Sequence, residues 1–224
     1  MSAHPSLILQ KAELSLPQTP ESGDHSSTMD LLVDAATSYL QECQTRSIDV
    51  EEIARRAGID PALARTVCPT NEDLGVAIDT YGMLRASDVI NKALVAAQPG
   101  DNRGALIGLI RAYLDWARAN PMLYLTLATR TIQFPGENNI VRRYDASFVP
   151  LVRRYLGESE DAPATRRAAV LRGFLLGLAH LALDGHLSLW TLPNVDVEAE
   201  ITATIEDFVD LLLSAPPQPI RSEA

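Results

Sequence analysis

The sequence predicts an all-α protein of about nine helices. Apolar residues recur three and four positions apart in successive segments from Leu31 onward, which is the spacing of a helix with one buried face. Turn pairs such as Pro99-Gly100 and Asn120-Pro121 separate these segments. The last two long segments are rich in apolar residues. A chain of 224 residues can bury a sizeable core around such helices.

The first 27 residues differ in composition from the rest of the chain. Residues 1–27 carry Pro, Ser, Gln and His, with one short apolar patch at Leu7-Ile8-Leu9. We expect a disordered arm here, and the alternative is an extension that docks on DNA or on the body of the protein. The first helix is expected from about Thr28 to Cys43.

Two short helices across a glycine turn are predicted next. Asp49 is suited to cap the second helix, and Glu52 three residues later would complete a capping box. Gly58 supplies the left-handed residue that ends this helix. Asp60 and Pro61 then begin the third helix, because proline at the first helical position gives up no hydrogen bond. This arrangement is typical of a helix-turn-helix.

A long fourth helix is expected over 70–97. Thr70 together with Asp73 would cap its first turn. Gly75 and Gly82 lie inside it, and each costs about 1 kcal/mol relative to alanine. They therefore mark close packing or a soft point in the helix.

Five further helices are predicted towards the C-terminus. The eighth is apolar on nearly all sides from Ala168 to Leu183, so it must be covered on both sides, and Gly173 and Gly177 would let another helix come close. The ninth has a clean apolar stripe, and the proline-rich tail over 215–224 is expected to be disordered. The expected ranges are 101–119, 122–134, 138–155, 164–187 and 195–213.

The segment from Asp49 to Leu74 resembles the DNA-binding domain of the tetracycline-repressor (TetR) family. The shared residues, at the family's spacing, are Ile53-Ala54, Ala57-Gly58-Ile59, Pro69, Glu72 and Leu74. The resemblance implies a helix-turn-helix domain over 28–75 and a helical ligand-binding and dimerisation domain over 76–214. It also implies a ligand-responsive transcriptional repressor that binds DNA as a homodimer through its last two helices. The alternative for those two helices is that they complete the core of the monomer.

The predicted DNA-binding region departs from the family in its phosphate contacts. After the turn the family usually has an aromatic residue, commonly Tyr, then His-Phe and later Lys, whereas this chain has Arg65, Val67-Cys68 and Asn71 at those positions. Between Met29 and Gly75 nine carboxylates face four arginines, a net charge of −5. A basic face is expected of a DNA-binding surface, so the sequence favours the fold but opposes strong DNA binding. The candidate DNA-binding residues are Arg46, Arg55, Arg65, Thr66, Thr70 and Asn71.

A second function therefore stays open, in which the fold is kept but DNA binding has been lost. Such a protein would act as a small-molecule-binding module, or as an enzyme that uses the same pocket. The weak catalytic candidates are His180 and Asp184, four residues apart on one helix face. The structural alternative is a buried histidine that is satisfied by the carboxylate one turn away.

The effector pocket implied by the resemblance lies among the fourth to the eighth helices. We expect a small apolar or amphipathic effector there, and Arg130 would pair either with a ligand carboxylate or with an acid such as Asp184. No cofactor or metal is expected. The candidate ligand-binding residues are Tyr113, Trp116, Tyr124, Thr126, Arg130, Phe134, Phe174 and His180.

Composition limits the surroundings in which the protein works. The formal net charge is −10, which disfavours anionic partners as a default. Cys43 and Cys68 are the only cysteines and are expected to be reduced thiols in the cytoplasm. No apolar run reaches the roughly 18 residues that cross a membrane, so no membrane association is expected.

Overall fold

A computed structural model describes residues 22–133, 140–158, 166–187 and 195–214, with side chains over 27–128, 148–158, 166–187 and 195–214. This part of the chain contains α-helices and no strand, which confirms the predicted fold class. The helices are α1 (Ser22–Cys43), α2 (Val50–Ala57), α3 (Pro61–Val67), α4 (Asn71–Ala96), α5 (Asn102–Ala119), α6 (Pro121–Gln133), α7 (Ile140–Tyr155), α8 (Arg166–Leu183) and α9 (Val197–Ser214).

Local capping chemistry sets the ends of the short helices, largely as the sequence predicts. The Asp49 carboxylate accepts hydrogen bonds from two backbone N–H groups at the start of α2. Gly58 ends α2 with φ +70°, and Asp60 caps α3 ahead of Pro61. The Thr70–Asp73 capping box at α4 is confirmed, with both of its reciprocal bonds present.

Three local predictions need correction. Helix α1 begins at Ser22 and not at Thr28, because a formed helix extends through polar residues at little cost and needs no apolar periodicity there. Glu52 does not complete a capping box with Asp49, since its carboxylate pairs with arginines of its own helix. Helix α8 ends at Leu183 and not near Leu187, because Gly185 turns the chain with φ +69°. The predicted tail over 215–224 and the rest of the predicted arm lie outside the described residues.

Helices α1 to α4 share one apolar core. Leu32 and Leu40 of α1, Ile53 of α2, Ala64 of α3 and Leu74 of α4 are all fully buried in it. The burial follows from the helical spacing of apolar residues, which places them on a single stripe. The helix-turn-helix thereby packs against α1, which in turn packs against α4.

The glycine at position 82 brings α4 close to α6. A Cβ atom added at Gly82 would lie 2.9 Å from a methyl carbon of Leu127 and 3.0 Å from one of Leu123. Such distances are tighter than ordinary packing, so glycine is what permits this approach. Of the two alternatives for Gly82, close packing is confirmed.

Helix α5 occupies the centre of the C-terminal helices and contacts α4, α6, α7, α8 and α9. Its core-facing residues include Leu106, Leu109 and Ile110, all fully buried. Its solvent-facing arginines, seven or eight residues apart, form a line of ion pairs with acids of α9. The pairs are Arg103 with Asp210 and Glu206, Arg111 with Glu206, and Arg118 with Glu198.

The pair α8 and α9 is joined by stacked aromatic rings. Phe174 and Phe208 lie face to face with ring centroids 3.7 Å apart. The opposite face of α8 is exposed: Val170 keeps 50% of its surface accessible, and a Cβ added at Gly173 or Gly177 would meet nothing within 4 Å. Within the described chain α8 is therefore covered on one side only. In the same residues no helix is both long and apolar enough to cross a membrane.

Candidate functional site

The helix-turn-helix is tied to α4 through an asparagine. The side-chain oxygen of Asn71 accepts a hydrogen bond from the Val50 backbone N–H at 3.0 Å, and its nitrogen donates to Asp49 at 3.4 Å. One amide thus satisfies an orphan donor at the start of α2 while also holding the cap residue. Asn71, predicted to contact DNA, has both ends of its amide engaged within the protein.

The two threonines predicted to contact DNA also make local hydrogen bonds. The Thr70 hydroxyl accepts from the Asp73 backbone N–H at 3.1 Å as part of the capping box. The Thr66 hydroxyl donates to the Leu63 carbonyl at 2.6 Å, one turn back along α3. Thr66 is exposed, as is Leu63 on the same helix.

Arg65, on the second helix of the helix-turn-helix, is held by two groups of the same unit. One guanidinium nitrogen donates to the Pro69 carbonyl at 2.9 Å, and another donates to the Glu51 carboxylate of α2 at 3.3 Å. About a third of the Arg65 side chain is exposed, so the ion pair is open to solvent and weak. A phosphate could compete for the same guanidinium.

Two further arginines of α2 are also paired with acids. Arg55 pairs with Glu52. Arg56 bonds to both Glu52 and Glu42, and its guanidinium lies 4.5 Å from the centre of the Tyr39 ring. Arg46 is exposed in the segment between α1 and α2. The basic residues of this region are therefore mostly neutralised by neighbouring carboxylates.

The carboxylates concentrate at the helix N-termini, where phosphate would otherwise bind. Asp49, Glu51 and Glu52 lie at the start of α2, and Glu72 and Asp73 lie in the first turn of α4. Helix N-termini carry partial positive charge that attracts anions, and these side chains already occupy it. Backbone hydrogen bonds, above all from Glu52, lower the pKa of Asp49, which keeps that carboxylate ionised.

The outer face of α3 is small and apolar. Ala62 and Thr66 are exposed, and Leu63 keeps 44% of its surface accessible. Side chains of this kind meet the methyl group of thymine in a major groove, whereas phosphate contacts need basic or polar groups. Leu63 is not among the DNA-binding residues predicted from the sequence, although an apolar side chain on the exposed side of a short helix indicates a contact surface.

Three of the predicted ligand-binding residues form an aromatic cluster between α5 and α6. The ring of Tyr113 lies 6.1 Å from that of Trp116 and 6.2 Å from that of Tyr124. The Tyr124 hydroxyl donates to the Leu176 carbonyl of α8 at 3.1 Å, and burial raises the pKa of this phenol. Trp116 and Tyr124 are buried and Tyr113 is partly exposed.

The other predicted ligand-binding residues are dispersed. Thr126 is buried but donates to the Met122 carbonyl of its own helix at 2.8 Å. Phe174 stacks on α9 and does not join the cluster. Phe134 and the side chain of Arg130 lie outside the described residues.

The pair predicted on α8 is formed, but at the surface. His180 Nε2 lies 3.1 Å from an oxygen of Asp184, and 56% of the His180 side chain is exposed. The expectation of a buried histidine was wrong, because His180 follows the exposed stripe of α8 and not its buried one. Among the described residues no cluster of His, Cys, Asp or Glu could hold a metal ion.

Comparison with known proteins identifies similar sequences and folds. Residues 106–208 match the family model described as "Tetracyclin repressor-like, C-terminal domain". No curated protein matches the chain.

Several solved structures share the fold along most of their length. A protein of unknown function from Rhodococcus sp. RHA1 is 23% identical with a TM-score of 0.67, covering 86% of this chain and 98% of that one. A TetR-like transcriptional regulator from the same organism is 16% identical with a TM-score of 0.61, covering 84% and 97%. The TetR-like regulator LfrR from Mycobacterium smegmatis, solved with proflavine, is 18% identical with a TM-score of 0.57, covering 84% and 97%.

Proposed function

We propose that this chain, whose residues 106–208 match the tetracycline-repressor-like C-terminal domain, is a ligand-responsive transcriptional regulator that binds DNA as a homodimer. The observation that carries the proposal is the exposed helix-turn-helix: α2 and α3 meet at Gly58, and α3 presents Ala62, Leu63 and Thr66 to solvent. A short helix with its outer side uncovered is the element that such proteins place in a major groove.

Some of the proposed DNA contacts are exposed and available, whereas others already make hydrogen bonds within the protein. Arg46, Arg55, Arg65 and Thr66 lie at exposed or half-exposed positions, and the ion pairs of Arg55 and Arg65 are weak enough to exchange for phosphate. Thr70 and Asn71, although proposed from the sequence as contacts, support the fold through their caps. We therefore expect weak binding that depends steeply on salt.

The proposed dimer uses the exposed stripe of α8, together with α9. The stripe contains Val170, Gly173, Leu176 and Gly177, which lie on one side of three successive helical turns, and none of these four is charged. Small residues let a second helix approach closely, and a twofold dimer would pair this stripe with itself. Two such chains would present their α3 helices to half-sites about one DNA turn apart or more.

A size measurement tests the dimer. Light scattering coupled to size exclusion should show a dimer for the native chain and a monomer for Gly177→Arg, because the arginine would project into the close approach. Ala96→Arg, on exposed α4, is the matched control and should remain dimeric. A native chain that runs as a monomer at micromolar concentration contradicts the proposed dimer.

The effector is proposed to be small and apolar or amphipathic, bound next to the aromatic cluster of Tyr113, Trp116 and Tyr124. Buried aromatic rings with few polar groups favour such a ligand. The similar regulator LfrR is described in complex with proflavine, so this dye is a reasonable first probe.

A second function has its own support, namely a ligand-binding protein of this fold that does not bind DNA. Arg55, Arg56 and Arg65 are each paired with an acid of α2, and the region from Met29 to Gly75 carries a net charge of −5. Counterion release would then contribute little to DNA affinity.

A mobility-shift experiment separates the two functions. The native chain is titrated onto DNA from the region upstream of its own gene at about 50 mM salt, where phosphate contacts contribute most. We expect a shift that Arg65→Ala weakens and that Arg111→Ala, which removes the same charge from an ion pair on α5, leaves in place. No shift by the native chain would favour the second function.

A further inference from the structure

One side chain of α1 reaches across to the corner between α5 and α6. The Gln41 oxygen accepts a hydrogen bond from the Met122 backbone N–H at 3.1 Å, and its nitrogen donates to the Ala119 carbonyl at 3.4 Å. These partners lie some 80 positions away in sequence, and the Nε2–O contact is the longer and weaker of the two.

The corner supplies two backbone groups that no helix satisfies. Ala119 ends α5, so its carbonyl has no partner further along that helix. Pro121 begins α6 and has no N–H, which makes Met122 the first donor of that helix. A glutamine amide can both donate and accept, so Gln41 satisfies both groups at once, and neither glutamate nor methionine can do so.

The same short stretch of α6 is also fixed to α8. Tyr124, two residues after Met122, donates its buried hydroxyl to the Leu176 carbonyl. Leu176 lies on the exposed stripe of α8. The first turn of α6 is therefore bonded to α1 on one side and to α8 on the other.

We propose that Gln41 is a positioning residue that makes α6 a connection between α8 and the N-terminal helices α1–α3, additional to the continuous helix α4. A displacement of α8 would move Tyr124 and the first turn of α6, and the amide of Gln41 would pass that movement to α1. This coupling does not depend on the proposed DNA binding, and it would hold equally in a protein that binds only a small molecule.

Hydrogen exchange measured by mass spectrometry tests the coupling on the full-length protein. Gln41→Met keeps the length of the side chain but removes both hydrogen bonds, so exchange at the Met122 amide and in α2–α3 should accelerate roughly two- to tenfold. Gln41→Glu retains the acceptor and should restore protection at Met122. Gln44→Met is the matched control, because the Gln44 side chain donates to the Gln41 backbone carbonyl and has no bond to α6 among the described residues.

Tyr124→Phe distinguishes coupling from simple stabilisation of α1. This substitution removes only the bond to α8, and it should accelerate exchange in α2–α3 when Gln41 is present but add nothing when Gln41 is methionine. The proposal is overturned if the two changes add, or if Tyr124→Phe leaves exchange in α2–α3 unchanged. Both results are read without DNA, so they are independent of the mobility-shift outcome.

Discussion

The ion pair between Glu51 and Arg65 offers the sharpest test of how this helix-turn-helix meets DNA. The pair joins α2 to α3 over 3.3 Å, and the two side chains are 53% and 35% exposed. Glu51→Gln keeps the size of the side chain but removes its charge. Arg65 keeps its bond to the Pro69 carbonyl, so the guanidinium stays in place but loses the carboxylate that competes with phosphate.

The expected gain follows from counterion release. In the native chain Glu51 competes with phosphate for Arg65, so Glu51→Gln completes a partial phosphate contact. A complete contact contributes about 0.9 per protomer to the slope of log K against log salt, which is the upper limit of the gain. Relative to 1 M salt, that contact raises affinity about 15-fold at 50 mM and about fivefold at 150 mM. A dimer that uses both copies of Arg65 should gain about twice the slope.

The assay is fluorescence anisotropy of a labelled duplex, titrated at several salt concentrations between about 50 and 300 mM. Glu72→Gln is the control, because it removes the same charge from an exposed acid in the first turn of α4 that has no ion pair among the described residues. Equal slopes for the two variants would refute a specific role of the Glu51–Arg65 pair. A gain that persists after Arg65→Ala would refute it as well.

Three further predictions concern the conformation and titration of single residues. Gly58→Ala should lower the free energy of unfolding in urea by roughly 1–2 kcal/mol, because an alanine is strained in the left-handed backbone conformation at this position. No atom lies within 4 Å of the added carbon, so a steric clash does not contribute. Gly58→Asn should lower the free energy of unfolding by less, and equal losses for the two variants would contradict this explanation. At about pH 8 a thiol reagent should modify the exposed Cys43 at once and Cys68 only on unfolding. Cys68 is fully buried, and burial raises the pKa of its thiol to about 11. Fast reaction of both thiols would contradict this prediction. The hydrogen bond from Arg103 lowers the pKa of Asp210 below its ordinary 3.8, so the stabilisation by this ion pair is present above that pH and is lost as pH falls through the lower pKa of the folded state. Asp210→Asn should therefore flatten the loss of stability in acid-unfolding curves below about pH 4, and unchanged curves would argue against this.

Helices and their caps could be predicted from the sequence because they depend on neighbours along the chain. Gly58 ends α2, Asp60 begins α3 and Thr70 caps α4 through hydrogen bonds that span only a few residues. Glu52 shows the limit of such reasoning, because it had two local options. Its carboxylate accepts hydrogen bonds from Arg55 and Arg56, one turn later in α2, and not from the backbone of the cap residue Asp49.

The candidate sites were less predictable because their partners come from distant segments. Arg65 and Asn71 could be predicted from the sequence, but their partners Glu51 and Val50, which decide whether those side chains are available, could not. Phe174 was expected beside Tyr113, whereas it stacks on Phe208 of α9. Gln41 had no sequence feature to mark it.

The sequence alone determined that the chain is all-helical, that two short helices meet at Gly58, and that their surroundings are acidic. Each of these properties follows from backbone preferences, apolar spacing or a count of charges, which are present before the chain folds. The tertiary structure alone decided which arginines are paired, which face of α8 is left open and how α1 reaches the α5–α6 corner. Those depend on the relative placement of helices, and helix packing is fixed only when the core residues of distant segments meet.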